Sequence, residues 1–380
     1  MNQSLENQGQ QIRSGSSKLF LFVILGPEVP LYFYKNLEWI RRNFPDNRIL
    51  VVFDEERHRG RFQQLDTLEF QYVRKHDANK LIGRLTHDFA FRNGFWQLTI
   101  DRLFAICDAM IDLAASQVIY VENDVLLLPN FPVDEVQKLD KLAWTRYNQV
   151  RDVPSVIFLP NANLAKTMRS ELMTLFHENP NFTDMNALNS LASKRKDITC
   201  LLPTIIDGME NSWLLSQEEF YKVNKLLPNS KSDIQGIFDG AVIGMYLTGQ
   251  DPNNLFGFSF YLNPELLHQG ESYVDLNKVK FKLSEKRLFV LTRSLQRAEI
   301  FNLHIHSKNP EMFTDQVFPL LEDMTFRANL GTPYMKFKGK VLINLIVQNI
   351  RDGTLIGFFA RMLYFLMRMI ITRFMDKISF

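Results

Sequence analysis

Two apolar runs, one helix-length apart, constrain this chain most. Lys18 to Leu25 reads KLFLFVIL, carries no polar residue after its lysine, and stops at Gly26-Pro27. A strand with one wet face alternates apolar and polar residues. A strand without alternation must be covered on both faces, as in a parallel sheet flanked by helices. Residues 29–43, with Phe44 next, set Tyr32, Leu37 and Ile40 among lysines and arginines, the spacing of an amphipathic helix. Asn47 to Phe53 (NRILVVF) repeats the strand pattern and ends at Asp54. Strand, helix and strand within about 35 residues make the crossover unit of a parallel sheet.

The pattern recurs downstream. A helix is expected over 97–115, followed by the strand Gln117 to Val121, the polar triplet Glu122-Asn123-Asp124 and the apolar Val125 to Leu128. Further helices are expected near 162–177 and 184–195, a strand near 198–206, and a strand at Phe301 to His306. The expected fold class is therefore α/β, with a mostly parallel central sheet in one domain over residues 18–335. A Gln-, Asn- and Ser-rich tail precedes it at 1–17, and an apolar, basic helical segment follows at 336–380. The balance of 44 Lys+Arg against 42 Asp+Glu excludes a dedicated nucleic-acid binder, which shows a basic excess. Two cysteines, Cys107 and Cys200, form no disulfide framework and fit a reducing, cytoplasmic setting. Met1 to Ser17 lacks a signal peptide's basic-then-apolar layout, and no charge-free run reaches the roughly 18 residues of a membrane span.

Open α/β sheets bind ligands beyond the carboxyl ends of their strands, which gives weight to the polar residues there. Glu122 and Asp124 flank one residue at such an end, and in extended chain positions two apart point the same way. Both can then address one hard divalent cation, or simply cap the strand in solvent. In NLHIHSK, residues 302–308, a strand would put Asn302, His304 and His306 on one face, with Lys308 next as a point charge able to meet phosphate. Asp239-Gly240 introduces a helix rich in small residues (Gly240, Ala241, Gly244), which permit close backbone approach to a ligand or to a neighbouring element. Arg102 lies on the 97–115 helix, placed either to clamp a diphosphate or to pair with Asp101 or Asp108 at the surface.

Taken in order, FWQLTIDRLF at 95–104, ENDV at 122–125, FDGAVIGMYLTGQDP at 238–252 and NLHIHSK at 302–308 resemble a family. They are similar to bacterial nucleotide-sugar-dependent glycosyltransferases of the GT-A fold, in a group carrying FWxxTxxRxF, ENDV, FDGAxIGxYLxGxDP and NLHIHSK. Two positions depart from the pattern: Glu122 replaces the first aspartate of the usual D-x-D, and Met245 stands where the group has Gln. The resemblance implies that Asp124 binds Mn²⁺ or Mg²⁺, that Glu122 binds the metal or the nucleotide ribose, and that His304 or His306 completes the metal shell. Lys308 and Arg102 would contact the donor diphosphate, and Asp239 would be the catalytic base or a sugar contact. The implied partners are a nucleotide-sugar donor and a saccharide or lipid-linked acceptor, in surface polysaccharide or glycolipid synthesis. A metal-dependent nucleotidyltransferase would use similar carboxylates. Its phosphate loop should be rich in Gly, Arg and Lys, whereas the first strand is followed by GPEVPLYFY. A non-catalytic membrane-docked scaffold is the other alternative, and retained Asp124, His304, His306 and Lys308 oppose it.

Residues 354–380 are mostly apolar, with a narrow polar strip (Thr354, Arg361, Arg368, Thr372) and, near the end, Arg373, Asp376, Lys377 and Ser379. That pattern suits a helix lying on an anionic membrane surface, or one packed on protein with its arginines at the wet edge. Truncation after residue 352 separates the two: loss of sedimentation with anionic liposomes is expected for the surface helix, and unchanged sedimentation for the packed one.

Overall fold

The computed structural model describes residues 18–65, 69–72, 94–113, 117–148, 150–204, 234, 236–249, 276, 279–292 and 297–330. The expectations for the 1–17 tail and the 336–380 segment lie outside these residues, as does Gln250-Asp251-Pro252. No described helix is long and apolar enough to cross a membrane.

The expected crossover unit is present. Strand β1 (Leu19–Ile24) is buried along its whole length and pairs in parallel with β2 (Arg48–Phe53), while helix α1 (Leu31–Asn43) connects them. Phe20 and Phe22 meet Phe44 and Phe33 edge-on, at 5.4 and 5.6 Å between ring centroids, so the phenylalanines of β1 fasten α1 to the sheet. The short α2 (Arg59–Gln63) leads to β3 (Glu69–Tyr72), parallel to β2. Helix α3 (Phe95–Asp112) packs against β1, and β4 (Val118–Val121) returns parallel to β1 on its other edge.

Four strands thus run the same way in the order β3-β2-β1-β4. After β5 (Val125–Leu127) and α4 (Val133–Gln137), the sheet is extended by β6 (Leu142–Arg146), β7 (Asp152–Leu159) and β8 (Thr199–Leu201). The seven-stranded order is β3-β2-β1-β4-β7-β6-β8, in which only β7 is antiparallel to its neighbours. Helices α5 (Ala162–Glu178) and α6 (Asp184–Lys194) lie between β7 and β8, α5 against α3 and α6 against β7. Their starts are capped by Asn161 and by a reciprocal Thr183/Asn186 box.

A second, smaller sheet has, in spatial order, the strands Val279–Ser284, Arg287–Thr292, Arg297–Ile300 and Gly236–Ile237, which are β10, β11, β12 and β9. Strand β9 (Gly236–Ile237) precedes α7 (Val242–Thr248); β10 (Val279–Ser284) and β11 (Arg287–Thr292) form a hairpin; β12 (Arg297–Ile300) lies parallel to β9. Past Phe301 the chain leaves that sheet as β13 (Asn302–His304), which pairs antiparallel with β5 before α8 (Val317–Asn329). The register sets His304 opposite Val125, one residue beyond Asp124. The expected strand at 301–306 is shorter: Ile305 N–H still bonds the carbonyl of Asp124 in register (2.7 Å), but the Ile305 carbonyl accepts from Lys308 N–H (3.1 Å), and His306 lies in that turn.

Helix α1 also holds the loop after β4. Asn36, fully buried, donates from one amide nitrogen to the carbonyls of Asn123 and Val125, both at 3.0 Å. Trp39 Nε1 donates to the carbonyl of Leu127 at 2.7 Å. Asn36→Leu would keep the bulk and strand both carbonyls without a donor. A loss of about 3 kcal/mol is expected, read from urea denaturation midpoints at unchanged slope.

Candidate metal and donor site

The carboxyl end of β4 delivers Glu122 and Asp124 to the same place as β13 delivers His304. One ligand atom from each of the three lies within 4.8 Å of the others, and all three residues are buried. His304 Nε2 is 3.1 Å from Asp124 Oδ2 and 3.7 Å from Glu122 Oε2. The other ring nitrogen, Nδ1, is 3.0 Å from the carbonyl of Gly240. A carbonyl only accepts, so Nδ1 carries a hydrogen, and Nε2 is the ring atom that faces the carboxylates. Ligand-type atoms of three residues thus face one another, an arrangement that calls for positive charge among them. Glu122 Oε2, buried and without a hydrogen-bond partner, is part of the same demand. Two carboxylate oxygens and one imidazole nitrogen suit Mn²⁺ or Mg²⁺, the softer nitrogen favouring Mn²⁺.

Two cations flank the cluster. Lys308, in a left-handed backbone conformation at φ 54°, bonds Asp124 and lies 5.6 Å from the Tyr32 ring centre. Arg102 is neither exposed nor paired with Asp101 or Asp108. It reaches Glu122 at 2.6 Å and Asp184 at 3.2 Å, while Asp108 pairs with Arg169 and Asp101 accepts from Gln97. Burial opposes the charge on Glu122, but Arg102, with His304 and Lys308, more than offsets it and holds that carboxyl below the usual glutamate value. On Asp184 burial prevails over Arg102 and pushes the carboxyl up.

Asp239 and Gly244 build the wall behind His304. Asp239 Oδ1 accepts from Ile243 N–H (2.9 Å), and Oδ2 accepts from Gly244 N–H (2.7 Å) and His304 N–H (3.0 Å). Burial pushes this carboxyl up, with the three amides and the His304 ring opposing. Asn302 clasps the backbone of Asp239 from both sides, accepting from its N–H (3.1 Å) and donating to its carbonyl (2.8 Å). A Cβ on Gly244 would stand 2.2 Å from the carbonyl oxygen of His304, so glycine is required for α7 to approach β13 this closely. The small residues of this motif thus admit a neighbouring strand.

Of the residues singled out from sequence, Glu122, Asp124, His304, Lys308 and Arg102 converge, and Asp239 adjoins them through backbone bonds. His306 is not in the ligand cluster; its ring lies flat on that of His304, with centroids 4.1 Å apart and planes at 18°. Burial, with His304 beside it, holds the His306 ring well below the usual histidine value and therefore neutral. Sequence reading did not single out Asp184 or Asn36. Asp184 starts a helix like many N-terminal aspartates, and Asn36 sits mid-helix, where an asparagine gives no local sign of a distant partner.

No protein-family model matches the chain, and no curated protein matches it. Among solved structures it is similar to the glycosyltransferase GlyE of Streptococcus pneumoniae TIGR4, at 18% identity and TM-score 0.35 over 52% of this chain and 46% of GlyE. The chain thus spans less than half the length of GlyE. It is similar also to the galactosyltransferase LgtC, in a structure with donor and acceptor sugar analogues, at 13% identity and TM-score 0.38 over 56% of this chain and 85% of LgtC. A third is the PaToxG glycosyltransferase, at 11% identity and TM-score 0.30 over 48% of this chain and 71% of the other.

Arg102→Met would leave Glu122 and Asp184 buried without their cation. A loss of about 3–5 kcal/mol is expected near neutral pH, measured by denaturation in EDTA. Because the Glu122 carboxyl is depressed in the fold, its contribution is present above the ordinary glutamate value and lost as pH falls through the folded one. The gap between wild type and variant should therefore narrow in acid.

Proposed function

We propose that this chain is a metal-dependent glycosyltransferase that moves a sugar from a nucleoside-diphosphate sugar to a saccharide or lipid-linked acceptor. One observation carries the reading: Glu122, Asp124 and His304, up to 182 positions apart in sequence, meet at the carboxyl end of a parallel strand with Lys308 and Arg102 beside them. The order of the four sequence motifs supports it. Glu122, Asp124 and His304 would hold the divalent ion. When bound, such an ion supplies a Lewis-acid counter-charge for a diphosphate leaving group.

The chain's own groups then divide the work. Lys308 gives a second positive charge to the departing diphosphate. Arg102 keeps Glu122 ionised and in place and, bound on both sides by carboxylates, acts on the donor through Glu122. In the transfer, the bond from the anomeric carbon to the phosphate oxygen breaks, and the diphosphate leaves with the electron pair. The acceptor hydroxyl oxygen bonds to that carbon, and its proton passes to the diphosphate or to solvent. Asp239 was expected as base or sugar contact. With both oxygens accepting backbone N–H groups, it is better suited to fixing the β9–α7 junction against His304. Surface polysaccharide or glycolipid synthesis at the inner face of a membrane, with 354–380 on the anionic surface, is the setting that the motifs and the basic, apolar segment support.

Asp124→Asn should lower nucleoside-diphosphate release from UDP- or GDP-sugars in Mn²⁺ by at least about 100-fold, with the circular-dichroism spectrum unchanged. EDTA should do the same to the wild type. Full activity of the variant, or of the wild type in EDTA, would contradict the metal assignment.

A further inference from the structure

The two histidines of NLHIHSK do different things. His304 is fixed at one edge by the Gly240 carbonyl and faces Asp124 with the other. A single hydrogen bond at one corner fixes where a ring sits but leaves its plane free to rock. The face of the His304 ring is covered by His306, nearly parallel at 4.1 Å. The backbone makes this contact: His306 N–H bonds the carbonyl of His304 (3.0 Å), and Lys308 N–H bonds that of Ile305 (3.1 Å). The turn folds the second histidine back over the first. In a continued strand the two rings would stand side by side, facing one ligand together.

His306 Nε2 is buried and has no hydrogen-bond partner, and no His306 atom belongs to the ligand cluster. We infer that His306 is a positioning residue, a flat plate that fixes the ring plane of His304 toward the divalent-ion site, and that it is not itself a ligand. Outer contacts of this kind set ligand orientation and commonly govern metal affinity by 10- to 100-fold. A flat face is the only property the role needs, so an aromatic ring without a ligand nitrogen should replace it. The inference rests on the metal reading of Glu122, Asp124 and His304.

The test uses the full-length protein and Mn²⁺ alone. Electron spin-echo modulation counts the imidazole nitrogens coupled to the bound ion, and calorimetry gives its affinity. One coupled nitrogen is expected in wild type and in His306→Phe, and none in His304→Ala. Affinity should stay within about threefold of wild type in His306→Phe and fall about tenfold or more in His306→Ala. Two coupled nitrogens in the wild type would overturn the inference, and that result needs no variant to fold. So would an affinity loss in His306→Phe as large as in His304→Ala. Absence of any Mn²⁺ binding by the wild type would overturn the metal reading itself, which distinguishes the two failures.

Discussion

The site depends on one short antiparallel pairing, three residues of β13 against three of β5. Glu122 and Asp124 come from the first half of the chain and His304 from near its end, and closing that long loop has an entropic cost that local sequence cannot offset. The pairing is held from several sides. Trp39 and Asn36 of α1 fix the β5 strand and the loop before it, and Asp239 and Asn302 fix the strand that brings His304. A one-residue slip of β13 would point Leu303 or Ile305 at Asp124 and bury an imidazole in the core, so side-chain alternation enforces the register. Leu303 and Ile305 are both fully buried, as this requires.

Electrostatics then decides what the pocket accepts. Glu122 and Asp184 share Arg102, and Asp124 has Lys308, so the carboxylates outnumber the Arg and Lys cations around Nε2 of His304. A divalent ion fits that excess of negative charge. Asp239 contributes geometry: its three amide bonds tie α7 to β13 where Gly244 leaves no room for a side chain.

Much of this was legible in the amino-acid order because the central strands are covered on both faces. KLFLFVIL, NRILVVF and QVIYV declare a parallel sheet, and the residues after the third declare its functional end. The partners of Arg102 were not legible. Asp101 and Asp108 are near in sequence, whereas Glu122 and Asp184 become neighbours only after α3, β4 and α6 pack. The roles of His304 and His306 were hidden for a related reason. Alternation says that both share a face if the strand continues, and the turn that ends it is closed by backbone bonds, His306 N–H to the carbonyl of His304 and Lys308 N–H to that of Ile305, which alternation does not announce. In the smaller sheet, β10 (VKFKLS) alternates clearly and was not singled out, whereas β9 is two residues long and its pairing with β12 is set by tertiary contact.

The central claim is that Glu122, Asp124 and His304 hold one divalent ion. Anomalous diffraction from crystals grown with Mn²⁺ tests it most directly. The account predicts a single strong peak within about 2.5 Å of His304 Nε2 and of oxygens from both Asp124 and Glu122. A fully occupied Mn²⁺ elsewhere, or none at these residues at saturating Mn²⁺, would contradict it.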